Sequence, residues 1–356
     1  MREAVVLPMP MRAWRWAHRR LFDGWVNILL GLASLALLAA VLPPLWRWLV
    51  TDSRFAPADY DACLASGGAC WAFLQAKWRL ILFGTFPYDE QWRPAWAVAL
   101  FLGMVLLSAG RGAWLDPARR RAMGLLCLLV MAAIVVLMHG GVFGLLPVQV
   151  RLWSGLPLTL GLAVVGCISA FGFAILLALG RRSELPLLRW VSVAYIEFIR
   201  GVPLVGLLFL ATILFPLIMP PNVDVDKLLR AQLAFVMFFA AYMAEAIRGG
   251  LQAIPAGQYA AAEALGMGYW QMQRHVVLPQ ALSRSVPSLV NIFIAAFKDT
   301  SLVTIISMLD LLGTATAATA DPKWWGLYIE SYLFIAVIYF AFCSGMSWYS
   351  RRLEHR

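Results

Sequence analysis

The chain has 356 residues, 62% of them hydrophobic and only 13% charged, with a mean hydropathy of +0.76. Soluble domains carry roughly a quarter charged residues, so this balance excludes a soluble enzyme or binding module and makes the chain an integral membrane protein. The net charge of +10 is that of basic loops facing one side of a membrane, and no Lys/Arg run is interleaved with aromatics in a polar domain, so nucleic acid is not an expected partner.

Segment Met1 to Gly24 is basic, and the apolar run behind it is long enough to stay in the membrane, which predicts a signal anchor rather than a cleaved peptide. Apolar runs follow at 25–46, 95–109, 122–140, 156–179, 202–219, 231–247, 286–308 and 329–349. These predict an all-α integral membrane protein of about eight transmembrane helices, the second run being the shortest. Lys and Arg concentrate in 1–24, 110–121, 180–201, 248–285 and 350–356, which places those segments, and both termini, in the cytoplasm. Residues 1–150 then form an amino-terminal extension with three helices and an extracytoplasmic loop at 51–94, and 151–356 the remaining five-helix core.

In the outer loop, Cys63 and Cys70 flank a Ser66-Gly67-Gly68 turn in an oxidising compartment, where they are either a small disulfide or two thiols. The other three cysteines, Cys127, Cys167 and Cys343, fall inside apolar runs, as small buried hydrophobes do. The stretch from Trp71 to Trp92 mixes Trp, Tyr, Arg and Lys in the manner of a segment lying at the bilayer surface. Leu187 to Ile199 reads as a helix along the inner surface that turns upward at Gly201 and Pro203, because a run joined from 187 to 219 is too long for one span. Pro216, Pro220 and Pro221 end the next span, and Asn222 to Lys227 is a short polar loop.

The inner segment 248–285 holds a polar, Gly-punctuated stretch. Ala260-Ala261-Ala262-Glu263-Ala264-Leu265 is a strong helix former that Gly266 stops, and a second short helix runs from Tyr269 to Val277, ended by Pro279. Two short helices about a Gly bend make a knob whose Ala-rich face suits docking to a partner protein; a plain cytoplasmic loop is the alternative. Charged groups inside spans are expensive and mark function by default. Lys298-Asp299-Thr300-Ser301, in the middle of the seventh run, either faces a translocation path or gate, or is a self-neutralising pair that orders a helix break. Glu245 and Arg248, three apart near the inner end of the sixth run, are spaced to pair on one helix face. Glu197 and Arg200, at the foot of the fifth run, complete the candidate path or gate residues.

A nucleotide-binding loop needs a Lys directly after Gly, but Lys77, Lys227, Lys298 and Lys323 follow Ala76, Asp226, Phe297 and Pro322. No cofactor is therefore expected on this chain, and ATP and Mg belong to a partner. His18, His139, His275 and His355 form no pair at metal-ligand spacing, no Gly-x-Ser-x-Gly occurs, and no enzyme activity is expected.

The interval from Ala260 to Pro279 resembles the EAA loop of permease subunits of ATP-binding-cassette importers, with Ala261-Ala262, Gly266, Val276 and Leu278-Pro279 in register. The first position is Ala260 where that pattern has Glu, and Glu263 is the carboxylate the loop retains. Glu197 to Leu204, Glu245 to Gly250, Ile254 to Gln258 and Phe297 to Leu302 are similar to the polar-amino-acid subgroup. The extension, with Arg79 to Gly84 and Tyr88 to Pro94, looks like the longer membrane subunit of general L-amino acid importers. The resemblance implies an alternating-access amino-acid importer in a bacterial inner membrane. It further implies two cytoplasmic ATPase subunits docked on 260–279, a second homologous permease subunit and an extracytoplasmic amino-acid-binding protein, all embedded in or facing membrane lipid. Apart from the resemblance, an ion-gradient-driven transporter with Lys298-Asp299 as coupling pair, or a membrane scaffold or sensor, remain open readings.

Overall fold

The computed structural model describes residues 24–55, 60–110, 116–220 and 225–354. The basic segment before Gly24 and the centre of the loop after Pro220 lie outside them. Among the described residues there is no strand, only isolated bridges, as expected where a bilayer offers no water to satisfy backbone groups and only internal helical bonds can. The chain divides into two compact units, Met1–Gln75 and Ala76–Arg356.

In the first unit, α1 (Trp25–Trp46) runs on through a π-helical turn at Arg47–Thr51, and none of its apolar window is buried. That is a helix built to face lipid on every side. Behind it, α2 (Tyr60–Ser66) leads to a disulfide between Cys63 and Cys70, whose Cα atoms are 5.4 Å apart. Gly68 is required in this hairpin, because a Cβ there would lie 2.3 Å from the Asp52 backbone. The Ala69 N–H donates to Trp48 O at 2.8 Å and Trp71 Nε1 to Leu49 O at 2.9 Å, closing the hairpin onto the end of α1.

The remaining helices are α3 (Trp71–Phe83), α4 (Trp92–Ser108), α5 (Pro117–His139), α6 (Gly155–Arg181), α7 (Pro186–Gly201), α8 (Leu204–Phe209), α9 (Phe215–Ile218), α10 (Lys227–Gln252), α11 (Ala256–Ala264), α12 (Tyr269–Met272), α13 (Leu278–Asp299), α14 (Leu311–Thr319) and α15 (Tyr328–Glu354). Among the described residues six helices are long and apolar enough to cross a membrane, and a seventh pass forms if α7 and the α8 to α9 segment, bent by 102°, count as one. At 17 residues, α4 is the short one, as its run was. The predicted redirection at Gly201 to Pro203 is this bend, and α7 leaves Leu187, Trp190 and Phe198 exposed while Ser192, Ile196 and Ile199 are buried.

The core is built on α6 and α10. Gly166, Ala170, Ala174 and Ala178 of α6 and Ala231, Ala234, Ala240, Ala241 and Ala244 of α10 are all buried, so small side chains let these two backbones approach closely. Gly250 does the same between α10 and α13, where a Cβ would lie 2.1 Å from Ser285 Oγ and 2.4 Å from Ala281 O.

One expectation is corrected. Pro279 does not end the second knob helix: from α12 the chain passes through a π-helical turn at Gln273–Val277 into α13, one helical path over Tyr269–Ile306. Pro279 falls in the first turn of α13, where its missing N–H costs nothing. The stretch from Trp71 to Trp92 packs on protein along one side and leaves Trp78, Tyr88 and Trp92 exposed on the other. Thr314 Oγ1 donates to Ile81 O at 2.6 Å, Thr85 N to Ser154 Oγ at 2.7 Å, and Lys77 pairs with Asp321. Arg93, fully buried, donates from Nε to Leu137 O at 2.6 Å and from Nη1 to Leu146 O at 2.8 Å, fastening the start of α4 to the end of α5.

Candidate functional site

The 256–279 stretch folds as a helix, a glycine stop and a second helix. Its first helix, α11, ends in a Schellman motif: Met267 N–H donates to Ala262 O at 3.1 Å and Gly266 N–H to Glu263 O at 2.9 Å. Gly266 sits at φ +71, in the left-handed region that a glycine enters without penalty. Gln271 Oε1 accepts from Gly268 N–H at 3.2 Å, starting α12. Ala262, Met272 and Val277 point inward and are buried, and Val276 and Leu278 are half-buried. The outer face carries Ala260, Ala261, Glu263, Ala264, Leu265 and Gly266, with Pro279 also exposed. Trp270 stays 69% exposed and Leu265 76%, a surface with apolar anchors left uncovered. Glu263 makes no ion pair with a described residue.

The knob is tied to three spans. Arg182, at the end of α6, donates to Leu251 O and to Tyr259 OH, both at 3.0 Å. Gln280 Nε2 donates to Gln258 Oε1 at 3.0 Å, and Arg284 of α13 donates to Ala253 O. None of these anchors stands out in sequence, because each depends on packing between segments 22 or more residues apart.

At the same end of the bundle, the structure gathers Glu197, Arg200, Glu245 and Arg248, and adds Arg181 from the basic segment 180–201. Glu245 is the hub: it receives Arg181 Nη1 at 2.9 Å, Arg248 Nη2 at 3.0 Å and Arg200 Nη1 at 3.8 Å, while Arg181 also reaches Glu197 at 2.8 Å. Glu245 and Arg248 thus pair as their spacing predicts, within a wider cluster that joins α6, α7 and α10. The Arg200 guanidinium also lies 5.6 Å from the Tyr242 ring centroid.

Lys298, Asp299, Thr300 and Ser301 lie apart from this cluster. Ser285 Oγ donates to Ala246 O at 3.0 Å, which sets 285 level with the cluster, and Lys298 is 13 residues further along α13, or about 20 Å. There the α-helix tightens into a 3-10 helix at Thr300–Ile306. Thr300 is buried and donates to Phe297 O at 2.8 Å, Lys298 is exposed, and Lys298 and Asp299 form no ion pair within 4 Å. Beyond it, Asp310 caps α14 by accepting from Gly313 N–H at 2.9 Å and from Thr304 Oγ1 at 2.7 Å. Burial pushes the Asp310 carboxyl above its usual range, against those hydrogen bonds.

Comparison with known proteins agrees with this geometry. Residues 170–356 match the family model described as the binding-protein-dependent transport system inner membrane component. The chain is 43% identical to the inner membrane amino-acid ABC transporter permease protein YhdY of Escherichia coli strain K12, over 97% of this chain and 93% of that protein. It is 35% identical to the glutamate/glutamine/aspartate/asparagine transport system permease protein BztC of Rhodobacter capsulatus, over 96% and 93%. A crystal structure of an amino acid ABC transporter with histidines superimposes with a TM-score of 0.51 at 31% identity, covering 57% of this chain and 92% of that one. Its fold, its exposed knob and these matches together show that the chain belongs to the inner membrane components of binding-protein-dependent transport systems, the multi-pass permease subunits of ATP-binding-cassette importers, which work with separate ATPase and substrate-binding components.

Proposed function

We propose that this chain moves amino acids inward, with its 256–279 knob seated in a groove of the ATPase. The observation that carries this reading is the knob itself: Leu265 and Trp270 are uncovered on one face, while Arg182, Gln280 and Arg284 fix the other to the spans. Both termini then lie in the cytoplasm, with ATP and Mg on two ATPase subunits, a second homologous permease subunit alongside, and the amino-acid-binding protein at the opposite end. Closure of the ATPases would move the docked knobs, and the spans would turn as packed bodies about the solute path. The Glu245 cluster and the 298–301 segment are the proposed gate and path residues, one near each end of α13. The test is uptake into proteoliposomes holding the complex, its binding protein and labelled amino acids. ATP-dependent uptake that stops without the ATPase is expected; uptake driven by an ion gradient alone would overturn the reading.

A further inference from the structure

An apolar cavity of about 440 Å3 lies between the extension helices α4 and α5 and the core helices α6 and α10, within the roughly 300–1,000 Å3 of ligand pockets. It sits at the end of the bundle where α6 and α10 begin, away from the knob. Its walls are aliphatic and aromatic, and three lining side chains remain exposed on the outer helix surfaces: Val135 by 55%, Val165 by 41% and Leu229 by 51%. The cavity therefore opens sideways, toward hydrocarbon. Two further observations give it polarity. Trp153 lines it, and its indole N–H is buried with no acceptor among the described residues, which leaves a donor to be satisfied. At the rim, the turn carrying Arg151 lies against the start of α10, where Lys227 stands, and neither cation pairs with a described residue. Among the described residues the one carboxylate there, Asp226, is engaged in capping Leu228 N–H at 2.8 Å.

We propose that this cavity binds one acyl chain of an anionic membrane phospholipid, with its phosphate against Arg151 and Lys227 and its ester region accepting from the Trp153 indole. Hydrocarbon suits the dry walls, a phosphate complements two unpaired cations, and an ester carbonyl suits a lone donor between them. The inference needs only that the chain is embedded in a bilayer, so its failure leaves the amino-acid reading untouched.

Gly161 supplies the test. It lines the cavity, and a Cβ there meets nothing within 4 Å, so Gly161→Trp fills the space without a clash at the backbone. Gly172→Trp, on an exposed turn of the same helix with equally open space, is the control. The complete transporter is placed in vesicles of phosphatidylethanolamine and phosphatidylglycerol, the latter with a photoreactive group on one acyl chain, and labelled peptides are mapped. The wild-type protein is expected to label within 131–138 and 157–165 above the level on α1, whose exposed surface reports ordinary surrounding lipid. Gly161→Trp should abolish that excess and Gly172→Trp should keep it. Arg151→Gln with Lys227→Gln should lower the excess for phosphatidylglycerol roughly tenfold, and less in a parallel experiment in which phosphatidylethanolamine carries the photoreactive group instead. Should Gly161→Trp fail to assemble, Trp153→Phe, which removes the N–H together with the five-membered ring but keeps an aromatic side chain, is expected to weaken labelling without moving it. Labelling no stronger than on α1, an unchanged excess in Gly161→Trp, or capture of another subunit's helix at these positions would overturn the proposal.

Discussion

The knob's glycine stop gives the sharpest test of coupling. At Gly266 a Cβ meets nothing within 4 Å, yet φ is +71, so the cost of a side chain is one of backbone conformation alone. For an ordinary L-residue that cost is roughly 1–2 kcal/mol, a factor of about 5–30 in any equilibrium that needs this turn. Asn tolerates the left-handed region, Ala does not, and a β-branched residue is worst. The series Gly266→Asn, Gly266→Ala and Gly266→Val should therefore weaken ATPase binding and coupled uptake in that order, with insertion and yield unchanged because the residue is exposed. Gly257→Ala, on α11 with open space and no positive φ, is the matched control and should be neutral. The assay is the affinity of the purified ATPase for permease in nanodiscs, paired with uptake per ATP hydrolysed. If Val binds and couples like Gly while the turn is shown to be altered, the knob's geometry is irrelevant to docking.

Three more outcomes are expected. Glu245→Gln should harm uptake more than Glu197→Gln, because the Glu245 side chain is 16% exposed and serves three arginines whereas Glu197 is 54% exposed and serves one; buried charged hydrogen bonds contribute about 1.5–3 kcal/mol and exposed pairs about 1 or less. Gly250→Ala should push α10 and α13 apart and lower the melting temperature, an overpacking cost of about 1–3 kcal/mol, while Gly249→Ala next door, with nothing within 4 Å, should not. The Lys77 ammonium, helped by the Lys323 N–H, holds the Asp321 carboxyl below its usual 3.8. Because the folded-state value is the depressed one, this contact is fully present above pH about 4 and is lost as pH falls through the lower value. Protection factors of the N–H groups of Lys323 and Trp324, corrected for the intrinsic pH dependence of exchange, should fall over that acid range in the wild-type protein, and Asp321→Asn should show lowered protection at all pH values.

Much of the membrane architecture was legible because the bilayer reduces it to a single variable, the length of apolar runs, with Gly and Pro as punctuation. The redirection at Gly201 to Pro203 and the stop at Gly266 follow from backbone chemistry that each residue carries alone. What escaped depends on distant partners. Arg181 looks like any basic residue at the end of a span until α7 and α10 bring two carboxylates to it. Arg93 reads as an interfacial cation, and only the carbonyls of Leu137 and Leu146 make its burial possible. Pro279 misleads because the rule that proline stops helices applies to interiors, and the π-helical turn before it begins a fresh first turn. Lys298 and Asp299, neighbours in sequence, point about 100° apart on a helix, so adjacency did not make them a pair.

The continuity through Pro279 changes how the knob can act. Had α12 ended there, a push on it would have reached the spans only through loops. Instead Tyr269 and Lys298 lie on one helical path, 29 residues apart, or about 44 Å along the axis. The proposed docking surface and the 298–301 segment are two ends of the same rod. Near the knob that rod is locked to α10 by the Gly250 contact and the Ser285 hydrogen bond, and to the 251–258 turn by Arg284 and Gln280. The Glu245 cluster then fastens α10 to α6 and α7. Displacement of the knob cannot be absorbed there without breaking close packing. It must be taken up where the regular α-helix is interrupted, at the α7 to α8 bend, the π-helical turn at Leu210–Leu214 and the 3-10 segment beyond Asp299. Those are the places where a rigid body of α6, α10 and α13 has room to hinge.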